Sequence, residues 1–202
     1  MMARATTFVL FICVFLLSSL PLLADSISEV RTLYDKINKA ISEKKTTEVL
    51  LYTTPDGYAE NRWIKVKQTD SATSFDNSYF KAKVFVLHNK VVKAVIDIES
   101  QAGDWINSRE YYFYENGKTA FLFESHLTHL GYNLDQNKSL PPGPYVIEKR
   151  IYLNKTGKEI RSLQKAFIAS TKEEIPAKYL QKIDIEVYRD IASLPFSKEL
   201  NR

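Results

Sequence analysis

"REYYFYENGKTAFLFES", residues 109–125, reads as strand, turn, strand. Asn116-Gly117 is the strongest two-residue hairpin signal, because a type I′ turn needs positive φ at both central residues. With that pair in the turn, Glu115 faces Lys118 and the register of both arms is set. One face then carries Tyr111, Phe113, Ala120 and Leu122, and the other Tyr112, Tyr114, Phe121 and Phe123. A hairpin apolar on both faces belongs at the centre of a sheet covered on both sides, or else displays an aromatic binding face. Aromatic stripes more often belong to cores, so the hairpin is expected to be frame rather than site.

Working outward, "KRIYLNKTGKEIRSL" at 149–163 is a looser echo of the same pattern. Here a three-residue turn ending in Gly157 places that glycine in the left-handed region of a bulged hairpin. Two copies with so loose a match do not make a repeat architecture. From Glu48 to Ile168 the apolar period is two, with strands expected at about 48–54, 62–69, 79–88, 90–99, 108–115, 118–126, 145–154 and 158–168. The fourth is the clearest, since Val92, Ala94, Ile96 and Ile98 alternate with Lys93 and Asp97. Short connections such as "HNK" and "NGK" join neighbours as antiparallel hairpins.

The flanks are helical in pattern. Ile27, Val30, Tyr34, Ile37 and Ile41 recur at three- and four-residue spacing, the stripe of an amphipathic helix. Near the other end, Thr171 and Glu174 have capping-box spacing, and Ile175, Tyr179, Ile183, Val187 and Ile191 follow at intervals of four. The fold class expected is therefore α+β: an antiparallel β-meander of about eight strands packed with an N-terminal and a C-terminal amphipathic helix. The organisation is read as a signal peptide at 1–24, a helix-plus-sheet domain at 25–168 and a helical extension of it at 169–202.

Arg4 followed by "FVLFICVFLL" and "LLADS" has the layout of a signal peptide cut after Ala24,. The apolar run is short for a bilayer span, which needs about 20 residues. A periplasmic or secreted location follows, with no stable membrane insertion after cleavage; tethering by an uncleaved N-terminal segment is the alternative. The only cysteine, Cys13, lies inside that run, so the rest of the chain has neither disulfide nor thiol nucleophile. Basic and acidic residues number 28 and 24 and are mixed along the chain, without the clustered basic stripe of a nucleic-acid binder.

Candidate chemistry is sparse. In "ESHLTH", Glu124 and His126 share a strand face and His129 follows within reach,. These three are a candidate zinc-like ligand set with one position open to water. Carboxylate pairs, Asp97 with Glu99 or Glu110 with Glu124, are candidates for acid–base hydrolysis, and Glu110 on the aromatic face needs a partner such as Arg150. No nucleophile elbow, Walker glycine loop or dinucleotide fingerprint occurs,. No cofactor is expected. Aromatic contact residues are sought in Trp105, Tyr132, Tyr145 and Tyr152, beside the long polar segment 131–144,.

"EVRTLYDKINKAI", "SREYYFYENGKTAFLFE" and "IEKRIYLNKTGKEIRSL", in this order, resemble a set of uncharacterised exported bacterial proteins. Those proteins have an N-terminal helix and YYF-x-x-NGK hairpin motifs. The likeness covers 25–168 in outline; Ile151 and Leu153 stand where aromatics are usual. It implies export and a helix-plus-meander domain, and it carries over no catalytic residue. The function expected is a non-catalytic binding or accessory module of the bacterial cell envelope, with an envelope protein or polymer as partner. A metal-assisted or carboxylate-based hydrolase of an envelope polymer is the alternative.

Overall fold

The computed structural model describes residues 26–60, 62–67, 73–128, 144–176 and 187–201. The apolar stripe of the N-terminal region forms a helix, α1, over 26–42, with Val30 and Ile37 almost fully buried. It ends with Lys44 at positive φ, a left-handed cap.

Among the described residues, alternating segments then build nine strands: β1 (Thr47–Thr53), β2 (Ile64–Lys65), β3 (Phe80–Leu87), β4 (Lys90–Glu99), β5 (Trp105–Phe113), β6 (Thr119–Thr128), β7 (Tyr145–Leu153), β8 (Glu159–Ile168) and β9 (Glu174–Ile175). They make one antiparallel sheet in the order β2-β1-β3-β4-β5-β6-β7-β8-β9, the meander that the short connections predicted. Of the expected second strand, 62–69, only Ile64–Lys65 is strand among the described residues, and 68–69 lie outside them. A short helix, α2 (Pro55–Ala59), precedes it, and the Thr54 side chain accepts from the Gly57 amide at 3.1 Å. Thr at the N-cap, Pro in the first turn and Asp56 beside it are the start signal of that helix. A second short helix, α3 (Thr73–Asp76), precedes β3.

The aromatic hairpin is central, and both of its faces are covered. On one, α1 packs Val30 and Ile37 against Tyr112, Tyr114, Ala120, Phe121 and Tyr152. On the other, Tyr111, Phe113, Leu122, Ile151 and Leu153 meet Tyr188, Leu194 and Phe196 from the C-terminal segment. Of the hairpin residues assigned to faces above, Ala120 alone is on the opposite side. Its displacement comes from a bulge: Tyr112 pairs with Phe121, but Phe113 pairs with Thr119. The turn has three residues, closed by Gly117 N–H donating to the Tyr114 carbonyl at 2.9 Å, and only Gly117 has positive φ. The second hairpin repeats this device, with Gly157 N–H on the Asn154 carbonyl at 2.8 Å and φ of 83°. Two positive-φ residues in succession occur instead at His88-Asn89 (φ 50° and 61°), joining β3 to β4.

The C-terminal segment departs from the helix that the four-residue spacing predicts. Glu174–Ile175 is a strand, and Asp190 forms a bridge with Lys118. Ile191–Ser193 is a 3₁₀ turn capped reciprocally by Asp190 and Ser193, followed by a short helix, α4 (Ser197–Leu200). Residues 177–186, the middle of the expected helix, lie outside the described residues. A sheet edge and a turn acceptor outbid helix periodicity here. Ile175 pairs with Ala166, and the Ile191 amide donates to the Gly117 carbonyl at 3.0 Å.

Candidate functional site

The sheet register places side chains in rows across the strands. On the α1 face, Lys93, Tyr112, Phe121, Tyr152 and Arg161 form one row, and Val95, Glu110, Phe123, Arg150 and Leu163 the next. Tyr34 of α1 stands over the aromatic row, its ring 4.8 Å from Tyr112 and 5.7 Å from Phe121. The neighbouring row borders a cleft of about 410 Å³ between helix and sheet, lined by Tyr34, Phe121, Phe123 and Tyr152 with Arg31, Asp35, Glu110 and Arg150.

Glu110 and Arg150 flank Phe123 in that row and are each held elsewhere. Glu110 Oε2 accepts from Lys93 Nζ at 2.7 Å and from Tyr112 Oη at 2.8 Å. Arg150 Nη2 donates to Glu148 Oε2 at 3.1 Å, and its guanidinium lies 5.6 Å from the centre of the Phe123 ring. Glu110 and Arg150 do not pair with each other, so the partner that the sequence assigned to Glu110 is replaced by Lys93. Burial, with the Glu110 charge and hydrogen bond, pushes the Tyr112 hydroxyl far above its usual range. Tyr112 is therefore a fixed donor, not a proton shuttle.

The opposite face carries a second polar group, built from the next residues along the same strands. Glu124 is 2% exposed. Its Oε1 accepts from Asn107 Nδ2 at 2.6 Å and from Arg109 Nε at 3.1 Å. His126 follows on the same face, with its ring centre 5.9 Å from that of Trp105 and its Nδ1 3.5 Å from Asn107 Nδ2. Burial lowers the His126 pKa, opposed by Glu124 and assisted by Arg109. Asn107 Oδ1 is buried without a hydrogen-bond partner among the described residues.

These placements sort the residues singled out by sequence. Glu124 and His126 do share a face, as the strand period requires; His129 lies outside the described residues, among which no three His, Cys, Asp or Glu side chains converge. The Glu124 carboxylate is already engaged by a guanidinium, which repels a cation. Glu110 and Glu124 stand on opposite faces, so that pair does not form a site. Asp97 and Glu99 share a face, and Asp97 Oδ1 accepts from Ser108 Oγ at 2.6 Å. Tyr145 and Tyr152 point to opposite faces of β7 and are 6% and 8% exposed. Trp105 is half-buried on the face of Tyr145, and Tyr132 lies outside the described residues. Phe123, Arg150 and Tyr34 escaped notice as a group. Only the exact register unites the first two, and only the helix docking adds the third.

No protein-family model, no curated protein and no solved structure matches the chain.

Proposed function

We propose that the protein is an exported, non-catalytic binding module of the bacterial cell envelope and that its ligand seats in the cleft beside α1. The observation that supports this is the cleft's composition: aromatic rings line it, and Glu110 and Arg150 flank Phe123 without neutralising each other. A concave site of about 300–1,000 Å³ with an apolar lining and a few placed polar groups is the usual form of a small-ligand pocket. The contrast with the other face strengthens the choice, since Glu124 and Arg109 there satisfy each other in the interior.

The test is titration of the isotopically labelled full chain with soluble cell-wall fragments released by a muramidase, followed by amide chemical shifts. Saturable shifts at Tyr34, Glu110, Phe123 and Arg150, lost in Phe123→Ala, are expected. Shifts gathered on residues 129–143 would move the site there, and a chain silent to every fragment would remove the binding reading.

A further inference from the structure

We infer that the cleft takes a zwitterionic ligand of amino-acid chemistry: a short peptide with both termini free and an apolar side chain between them. This deepens the binding reading above and rests on it. Three observations converge. The first is spacing. Glu110 pairs with Phe123, and Phe123 with Arg150, so acid and base are two strand spacings apart, about 10 Å between Cα atoms. An extended dipeptide spans about 7 Å, shorter than that separation, so both of its termini can lie over the row between Glu110 and Arg150.

The second observation is unused hydrogen-bonding capacity. Glu110 spends Oε2 on Lys93 and Tyr112, and Arg150 spends Nη2 on Glu148. Among the described residues, Glu110 Oε1 and Arg150 Nε and Nη1 make no hydrogen bond. Their side chains are 29% and 42% exposed, reachable yet held by their existing partners. An ammonium group donates and a carboxylate accepts, so free peptide termini match these groups with charge-assisted bonds.

The third is the opposing wall. Asp35 and Arg31 of α1 line the same cleft, so both walls offer one acid and one base around an aromatic floor. A neutral sugar seated there would remove water from four charges without supplying any. A purely anionic or cationic ligand would meet one like charge on each wall. A zwitterion supplies one group of each sign, an ammonium for a carboxylate and a carboxylate for a guanidinium,.

The deciding experiment titrates the labelled full chain with three probes: the dipeptide Ala-Phe, the same dipeptide N-acetylated and C-amidated, and a tetramer of N-acetylglucosamine. Ala-Phe is expected to shift Glu110, Phe123 and Arg150 saturably, with the capped form at least about tenfold weaker. Glu110→Gln and Arg150→Gln should each weaken Ala-Phe by a similar factor while leaving the melting midpoint within a few degrees of the parent. Equal binding of the free and capped dipeptides would overturn the role of the charges. Saturable binding of the tetrasaccharide with Ala-Phe silent would overturn the peptide chemistry and leave the binding reading standing. Silence at these residues with all three probes, and with the cell-wall fragments, would overturn both.

Discussion

Glu110 and Glu124 belong to the same hairpin, one on each face, and the protein treats them in opposite ways. Glu124 is sealed in, bound by Arg109 and Asn107. Glu110 is held by Lys93 and Tyr112 but keeps an oxygen at the wall of a cleft. The difference lies in what covers each. The α1 helix crosses only part of its side of the sheet and leaves the Glu110 row at its border. Carboxylates on adjacent strands, one register position apart, can therefore be framework or binding group, and burial together with the second oxygen's occupancy tells which.

The largest test of that contrast removes one buried partner. Glu124→Ala leaves Arg109 unpaired in the interior and should cost about 3–5 kcal/mol, measured by urea unfolding. A loss below about 1 kcal/mol would mean the pair is not sealed. Next, the two covers can be compared directly. Ile37→Ala under α1 and Leu194→Ala under the C-terminal segment, both about 2% exposed, should each cost about 2–5 kcal/mol. Equal losses would show that the irregular segment packs its face as firmly as a helix packs the other.

Smaller effects follow at the turns. Gly117→Ala and Gly157→Ala should each lose about 1–2 kcal/mol, since both glycines hold a left-handed conformation,. A packing effect would separate them, since an added Cβ meets Ile191 Cδ1 at 3.5 Å at Gly117 and nothing at Gly157; a backbone effect would not. His126 provides a graded test. Its folded pKa lies below the ordinary 6.5, so the unfolded chain takes up the proton first. Stability should fall as pH drops below 6.5 and level off below the folded pKa. His126→Gln should flatten that slope in a pH series of melts. Glu110→Gln should cost about 1–2 kcal/mol, less than Glu124→Ala, because Lys93, only 12% exposed, loses its carboxylate but keeps an amide oxygen to bond,; a loss as large as that at Glu124 would erase the distinction between the faces.

Much of this was legible in the residues, and the failures have physical causes. The period-two pattern yields the meander, and the Asn-Gly reading yields the right pairing for the strand bodies, Tyr112 with Phe121. The turn itself is different because Asn116 uses its side chain, accepting from the Lys118 amide at 3.0 Å and donating to the Lys155 carbonyl at 3.1 Å. That tie to the second hairpin fixes Asn116 outside the left-handed region and moves Ala120 across the sheet. His88-Asn89, with a weaker sequence signal, has no such competitor and takes positive φ at both positions. At the C-terminus, four-residue spacing in Ile175 and Ile191 could not reveal that a strand edge and a glycine carbonyl were waiting for those amides. The cleft was least legible, because it depends on where α1 stops covering the sheet.

The C-terminal segment ties both hairpin turns at once. The Ile191 amide reaches the Gly117 carbonyl, and Arg189 Nη1 reaches the Gly157 carbonyl at 2.8 Å. In the sheet each long strand lies beside a strand near it in sequence, whereas the cover over Tyr111 and Leu122 comes from Tyr188, Leu194 and Phe196, far from them in the chain. The local hairpins can therefore form before that cover docks, and until it does the sheet keeps one apolar face open to water. The docking of this one segment thus sets how long the folding molecule is exposed to aggregation.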